Sequence, residues 1–142
     1  MAEYGSIPII NGLTDYVHPC QVLADLQTIR EHKGKLEGLK MCFIGAGNNM
    51  ANSLINGGIL AGMEVACACP LEYLPDEKIV ERAKATGRFI LTQDVLEAAK
   101  DADVLVTDVW ASMGEEGEAE TRKKTFGGKY QINDAVNGSR KT

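Results

Sequence analysis

Short apolar runs alternate along the chain with longer stretches in which apolar residues recur every three or four positions. The short runs indicate buried strands, and the wider spacing indicates helices that turn one face inward. The short runs predict strands at residues 39–44, 65–69, 89–91 and 104–106. The periodic stretches predict helices at residues 19–33, 48–60, 75–86 and 94–100. This alternation predicts an α/β fold: an open parallel sheet flanked by helices, a Rossmann-like or flavodoxin-like three-layer sandwich.

The faces of the helices differ along the chain. The first predicted helix carries one apolar stripe, formed by Val22, Leu23, Leu26 and Ile29. Pro19 suits its first turn and Gly34 suits its end, because proline fits the first helical position and glycine readily adopts the left-handed conformation of a C-cap. Residues 115–124, in contrast, carry four glutamates with Arg122, Lys123 and Lys124. This charge-rich stretch predicts a solvated face.

The composition is that of an ordinary soluble domain and excludes several classes of partner. The chain has 142 residues, of which 44% are hydrophobic and 25% charged, and its net charge is -5. Nucleic acids and anionic membranes reward basic patches, so neither is expected as a partner. No run approaches the ~18 apolar residues of a membrane span, and the N-terminus lacks a basic start followed by an apolar core. We therefore expect a cytoplasmic protein.

The four cysteines predict neither a metal site nor a thiol catalyst. Cys42, Cys67 and Cys69 lie in predicted strands, where cysteine acts as a small hydrophobe. The Cys67–Cys69 spacing has no matching second pair, and the chain has only two histidines. Cys20 could serve as a nucleophile, but no second His/Asp constellation supports it. Reduced structural thiols and no metal are the expectation.

A glycine loop, Gly45-Ala46-Gly47, follows the first predicted strand. It invites a dinucleotide-binding interpretation, yet Met50 stands where the third glycine of that fingerprint belongs. The second strand also ends without the acidic residue that such sites need. Two interpretations remain: Asn48 caps the following helix, or Asn48 and Asn49 present amide groups to a zwitterionic ligand.

Two further polar positions are candidates. Asp108 ends the fourth predicted strand, either as a turn cap or as a carboxylate that pairs with an ammonium group. His18 and Gln21 lie three residues apart, so both can face one hydrogen-bond acceptor from the same helix face. A solvated or capping histidine is the plainer alternative.

These segments together resemble the ornithine carbamoyltransferase family over residues 7–134. Residues 7–15, followed by His-Pro-Cys-Gln at 18–21, resemble the segment that joins the family's two domains. Residues 45–49 are similar to its Gly-Asp-Gly-Asn-Asn loop, and residues 108–114 to its Asp-x-x-x-Ser-Met-Gly loop. Residues 126–133, Phe-Gly-Gly-Lys-Tyr-Gln-Ile-Asn, resemble the stretch that follows.

The resemblance implies a role for each matching residue. Those that would hold the amino and carboxylate groups of L-ornithine come from the two loops: Asn48, Asn49, Asp108, Ser112 and Met113. His18 and Gln21 would hydrogen-bond the carbonyl of carbamoyl phosphate. In the family the δ-amine of ornithine attacks that carbonyl and phosphate leaves, with no metal and no organic cofactor.

The resemblance also implies a division of the chain and a limit on its activity. Residues 1–17 are expected to be a remnant of the inter-domain segment, 18–136 the ornithine-binding domain and 137–142 a polar tail. The family's Ser-Thr-Arg-Thr phosphate loop and His-Cys-Leu-Pro loop are absent, and Ala46 replaces the usual aspartate. We therefore expect weak ornithine binding, no carbamoyl transfer by this chain alone, and carbamoyl phosphate binding only with the missing N-terminal domain.

The same resemblance predicts self-association, because the strand at 104–106 would form an edge of the sheet and the helix from Pro19 would lack its partner domain. Three other functions stay open. One is a carbamoyltransferase for another amine such as putrescine, which the loop with Ser112 and Met113 disfavours because putrescine has no carboxylate. The second is a truncated or engineered folding unit with no measurable ligand binding, and the third is a nucleotide-binding module.

Overall fold

The computed structural model describes residues 3–110, 117 and 119–139. The strands are β1 (Lys40–Ile44), β2 (Glu64–Ala68), β3 (Phe89–Thr92) and β4 (Val104–Thr107). The helices are α1 (Pro19–Lys33), α2 (Asn49–Leu60), α3 (Glu77–Ala85), α4 (Val95–Ala99), α5 (Ala119–Phe126) and α6 (Asp134–Gly138). A single 3₁₀ turn covers Leu71–Tyr73.

The four strands form one parallel sheet in the order β3-β2-β1-β4. The predicted α/β fold is therefore confirmed. The chain lays β2 and β3 successively to one side of β1 and then crosses to place β4 on the other side. This change of direction creates a topological switch point between β1 and β4, where the register pairs Ile44 with Thr107. Within the described residues β4 forms an edge of the sheet, as predicted.

Helices cover both faces of the sheet and give it three layers. Because side chains alternate along a strand, Met41 and Phe43 of β1 face a core formed with α1, α2 and α3. Cys42 and Ile44 face the opposite core, which is formed with α4, α5 and α6. We call these the α1–α3 face and the α4–α6 face.

The ends of the helices follow from local sequence signals. The N-caps Asn48, Asp76 and Asp94 each accept hydrogen bonds from backbone N–H groups of the helix that follows. Gly34 ends α1 in the left-handed conformation, with φ of 77°. On α1, Val22, Leu26 and Ile29 are buried as predicted, but Leu23 is 66% exposed. The prediction that Leu23 belongs to the buried stripe was wrong, because its side chain is rotated about 100° from that of Val22 around the helix axis.

A glycine pair allows α2 to pack closely on both sides. A Cβ atom on Gly57 would lie 2.6 Å from Cγ1 of Val22 on α1. A Cβ atom on Gly58 would lie 2.7 Å from Cγ2 of Val65 on β2. Larger residues here would push α2 away from α1 and from the sheet.

The C-terminal part differs from its prediction in two respects. The charge-rich stretch includes α5, in which Arg122 is only 8% exposed, so a solvated face was wrong for this residue. Its guanidinium lies 4.7 Å from the centre of the Tyr73 ring, a contact between segments remote in sequence. Helix α6 also includes Asn137 and Gly138, so regular structure extends into the predicted polar tail.

The N-terminal segment leaves several large apolar side chains in solvent. Tyr4, Ile7 and Ile10 are 88%, 71% and 83% exposed. Among the described residues, no helix combines the length and apolar character needed to cross a bilayer.

Candidate functional site

The candidate site lies at the switch point, where the carboxyl ends of β1 and β4 are adjacent. In open α/β sheets, ligands bind in the crevice at this place. Gly45 follows β1 directly and Asp108 follows β4 directly. The pairing of Ile44 with Thr107 brings the two loops side by side, and the Thr107 hydroxyl donates to the Ile44 carbonyl at 2.8 Å.

Asn48 connects the two loops. Its Nδ2 donates to Oδ2 of Asp108 at 3.0 Å, while its Oδ1 accepts from the amides of Met50 and Ala51. The other carboxylate oxygen of Asp108 accepts from the amide of Val109 at 2.8 Å. Asn48 therefore caps α2, as one interpretation predicted, and also fixes the Asp108 carboxylate.

Gly47 permits the backbone of this loop to approach the turn that follows β2. A Cβ atom at this position would lie 2.1 Å from the carbonyl carbon of Leu74. The Gly47 amide donates to the carbonyl of Tyr73 at 2.7 Å. Only glycine fits this contact, which holds Asn48 in place for its bond to Asp108.

Asn49 is directed toward the N-terminal segment. Its Nδ2 donates to the carbonyl of Thr14 at 2.9 Å. Two other polar residues of α2 make similar contacts: Ser53 Oγ accepts from the amide of His18 at 2.8 Å, and Asn52 Nδ2 donates to the carbonyl of Tyr16 at 3.0 Å. Asn52 and Ser53 are functional candidates that the sequence analysis missed. The sequence alone does not single them out, because α2 contains other polar residues as well, Asn49 and Asn56.

His18 and Gln21 differ in their surroundings. His18 is half-buried, and its Nδ1 is buried without a hydrogen-bond partner in the described part of the chain. Gln21 is exposed, and its Nε2 donates to Asp25 one turn further along α1 at 2.9 Å. Within the described residues, no hydrogen bond joins either side chain to Asp108.

The loop that begins at Asp108 is anchored at its base by the α4–α6 face. Nη1 of Arg122 donates to the Trp110 carbonyl at 3.1 Å, and Nε1 of Trp110 donates to the Tyr130 carbonyl at 3.3 Å. Ser112 and Met113 lie outside the described residues, so their predicted role is not addressed by the structure.

The chemistry available here is that of polar recognition. A carboxylate held by an amide suits a ligand ammonium group, because such charge-assisted hydrogen bonds are stronger than neutral ones. Among the described residues, no group of three or more His, Cys, Asp or Glu side chains could hold a metal ion.

Three of the cysteines are unsuited to nucleophilic chemistry. Burial raises the pKa of the Cys42 and Cys69 thiols to about 12, and it raises the pKa of Cys67 as well. These thiols keep their protons near neutral pH, and the thiolate is the reactive form. Cys20 is exposed on α1, and its Sγ lies 3.5 Å from the Asn11 carbonyl oxygen.

Comparison with known sequences identifies two matching family regions. Residues 37–141 match the aspartate/ornithine carbamoyltransferase Asp/Orn binding domain. Residues 1–31 match the carbamoyl-P binding domain of the same family. An ornithine carbamoyltransferase from Carboxydothermus hydrogenoformans is 54% identical over 138 residues, covering 94% of this chain and 44% of that protein. One from Geobacter metallireducens is 51% identical over 135 residues, again covering 94% and 44%. The chain thus spans less than half the length of these relatives.

Solved structures give the same picture. The ornithine carbamoyltransferase of Pyrococcus furiosus superimposes with a TM-score of 0.89 at 47% identity, covering 99% of this chain and 46% of that one. The anabolic ornithine carbamoyltransferase of Campylobacter jejuni superimposes with a TM-score of 0.89 at 37% identity, covering 99% and 48%.

Proposed function

Because the chain belongs to the aspartate/ornithine carbamoyltransferase family, we propose that it forms the amino-acid-binding part of an ornithine carbamoyltransferase. In the complete enzyme, the carbamoyl group of carbamoyl phosphate passes to the δ-amine of L-ornithine and yields citrulline and phosphate. The proposal includes a cytoplasmic location, in keeping with four free cysteines.

The observation that carries the proposal is the fixed Asp108 carboxylate at the switch point, 3.0 Å from Nδ2 of Asn48. In the proposed complex, Asp108 receives the α-ammonium group of ornithine. Asn49, Ser112 and Met113 hold the remaining amino-acid polar groups. Asn48 is proposed to orient Asp108 and not to contact ornithine itself, because its side chain already hydrogen-bonds the first turn of α2 and the Asp108 carboxylate.

His18 and Gln21 are proposed to act on the other substrate. Each can donate an N–H to the carbonyl oxygen of carbamoyl phosphate and so stabilise the negative charge that develops there. The match of residues 1–31 to the carbamoyl-P binding domain supports this assignment. The Ser-Thr-Arg-Thr phosphate loop does not occur in the sequence, so we propose that this chain alone does not turn over.

Affinity for ornithine is proposed to be weak. Small ligands bind well when most of their surface is buried, whereas Gln21 and the adjoining N-terminal segment are exposed. We expect a dissociation constant on the order of 1 mM, equivalent to about -4.1 kcal/mol.

The test is an NMR titration of the isotopically labelled chain with L-ornithine. Asp108→Asn keeps the size of the side chain but removes its charge and one of its two acceptor oxygens, and it should weaken binding at least about tenfold, the effect of losing roughly 1.4 kcal/mol. Glu64→Gln is the matched control, because Glu64 is exposed at the start of β2, at the opposite end of the sheet.

Three outcomes, from that titration, from a parallel titration with putrescine and from a citrulline assay with both substrates, would reject parts of the proposal. Absence of any shift with wild type favours a folding unit without ligand binding. Equal affinity for putrescine favours an acceptor without a carboxylate. Citrulline formation at a rate near the typical ~10 s⁻¹ of enzymes would show that the chain is competent alone.

Self-association through β4 is the final part of the proposal. A groove of about 380 Å³ borders this edge strand and is lined in part by Ile29, Val104, Leu105 and Ile132. Unpaired backbone groups on such an edge can pair with a second chain. Sedimentation should therefore show a dimer or larger species well above ~1 μM, and a single monomeric species there would contradict this part.

A further inference from the structure

We propose that Asn52 and Ser53 are positioning residues that fix the backbone carrying His18, and so set where His18 lies relative to Asp108. The functional meaning of this inference rests on the proposed role of His18. The structural claim can be tested without any ligand.

Both positioning residues are buried. Asn52 is 5% exposed and Ser53 is 6% exposed, although both side chains are polar and lie on a helix. Burying a polar group is unfavourable unless it is hydrogen-bonded. A residue pair of this kind therefore depends on the partners that the fold provides.

The partners belong to the segment that leads into α1 and to the start of α3. Ser53 Oγ accepts from the amide of His18 at 2.8 Å. Asn52 Nδ2 donates to the Tyr16 carbonyl at 3.0 Å, and its Oδ1 accepts from the amide of Asp76 at 3.0 Å. Asn52 thus joins three separate parts of the chain.

The spacing of the polar residues on α2 explains how they act together. Positions 49, 52 and 53 lie on one helix face, because residues three and four apart are neighbours there. With Asn49 bonded to the Thr14 carbonyl at 2.9 Å, α2 holds the N-terminal segment at Thr14, Tyr16 and His18. These are alternate residues, so the segment is fixed at regular intervals.

Helix α2 therefore links the two sides of the site. Its N-cap, Asn48, holds Asp108, and Ser53 in its second turn holds the His18 backbone. Five residues of helix separate these attachments by about 7.5 Å along the axis, at 1.5 Å per residue. A rigid helix of this length gives the two substrates' binding groups a fixed separation.

The test measures amide hydrogen exchange by NMR in the chain without ligand. Ser53→Ala removes the acceptor of the His18 amide and should accelerate its exchange at least about tenfold relative to the Met63 amide, which bonds Gly58 in the core. Ser53→Thr retains the hydroxyl and should restore protection. Ser139→Ala is the matched control, since that hydroxyl bonds the Ala135 carbonyl in α6.

Asn52→Asp separates the two bonds of the asparagine. The new side chain keeps an oxygen for the Asp76 amide but loses the N–H that bonds Tyr16. We expect the Asp76 amide to stay protected while the His18 imidazole signals shift and its amide exchanges faster.

The inference fails if exchange rises by the same factor at His18, Asp76 and Met63, because that pattern reports global stability alone. It also fails if the His18 amide is unchanged in Ser53→Ala. Should Ser53→Ala not fold, Ser53→Cys, nearly the same size with a weaker acceptor, provides the same comparison. An ornithine titration without shifts would reject the proposed function and leave the exchange result standing.

Discussion

The two faces of the sheet are built by different means. Helices of 15, 12 and 9 residues cover the α1–α3 face, and its core is largely aliphatic. Helices of 5, 8 and 5 residues cover the α4–α6 face, where alanines pack with Phe126 and Tyr130. Short helices are marginal by themselves, so the second face depends on aromatic contacts between remote segments. The base of the Asp108 loop packs on this second face, so its position depends on the same contacts between remote segments.

Phe126 is the centre of the α4–α6 face. Its ring lies 5.3 Å from that of Tyr73, 6.2 Å from Trp110 and 5.7 Å from Tyr130, measured between centroids. We expect Phe126→Ala to lower the free energy of unfolding by about 3–5 kcal/mol, the usual result of emptying a buried aromatic site. Leu54→Ala, at a fully buried site of the other face, should cost about 2–5 kcal/mol.

The two variants should also differ in cooperativity. The chain has a single tryptophan, so the fluorescence of Trp110 reports on the α4–α6 face. In urea, Phe126→Ala should lose the fluorescence signal before the circular dichroism signal, whereas the two should coincide in Leu54→Ala. Coincidence in both variants would show that the faces unfold as one unit.

Ala46→Asp tests how strictly the α4–α6 face excludes charge. Ala46 is 4% exposed and packs in the core of that face. A carboxylate here would be desolvated, so we expect a loss on the order of 3 kcal/mol at neutral pH. Thermal unfolding measures it, with the exposed Ala85→Asp as control. A higher midpoint for Ala46→Asp would show that the site contains a partner for the acid.

Arg122→Met tests the anchor of the Asp108 loop. The variant keeps an unbranched apolar stem but removes the hydrogen bond to the Trp110 carbonyl and the charge over Tyr73. Hydrogen bonds to charged groups contribute about 1.5–3 kcal/mol, so we expect a loss of roughly 2 kcal/mol. The neighbouring exposed Lys123→Met is the control. Equal stability of the two variants, with unchanged Trp110 fluorescence, would remove Arg122 as an anchor.

The difference between the α1–α3 face and the α4–α6 face also explains which elements could be predicted from the sequence. Helices on the α1–α3 face have apolar stripes with recognisable caps such as Asn48 and Asp76, so their bounds were predicted to within about two residues. Helix α5 has no such stripe, and the burial of Arg122 depends on Tyr73, which is far away in sequence. Local patterns carry no record of such contacts.

Prediction of the candidate site followed a similar division. The meeting of Asn48 and Asp108 could be expected, because both follow parallel strands and the carboxyl ends of such strands share one edge. The contacts of Asn52 and Ser53 could not, since they depend on the path of the N-terminal segment across α2.

The buried cysteines predict an alkaline limit to stability. Burial raises the pKa of Cys42 and Cys69 from 9.0 to about 12 in the folded chain. Above pH 9 the thiols of the unfolded chain lose their protons, whereas the buried thiols of the folded chain keep theirs until about pH 12. The stability that the protonated thiols contribute is therefore fully present below pH 9 and is lost as the pH rises toward 12. Unfolding midpoints should therefore fall progressively above pH 9. Cys42→Ala should fall less steeply, and an identical slope would contradict the assignment.

Thiol labelling at pH 8 compares how often the two faces open locally, and we expect differences only in the rate of labelling. Cys20 is exposed and should react with iodoacetamide at once, so Cys20→Ser provides a clean background. Cys42 lies under the α4–α6 face, whereas Cys67 and Cys69 lie under the α1–α3 face. Regions with fewer stabilising contacts open locally more often, and labelling of a buried thiol requires such opening. Mass spectrometry should find Cys42 modified a few times faster than Cys67, and equal rates would mean that both faces open only when the whole chain unfolds.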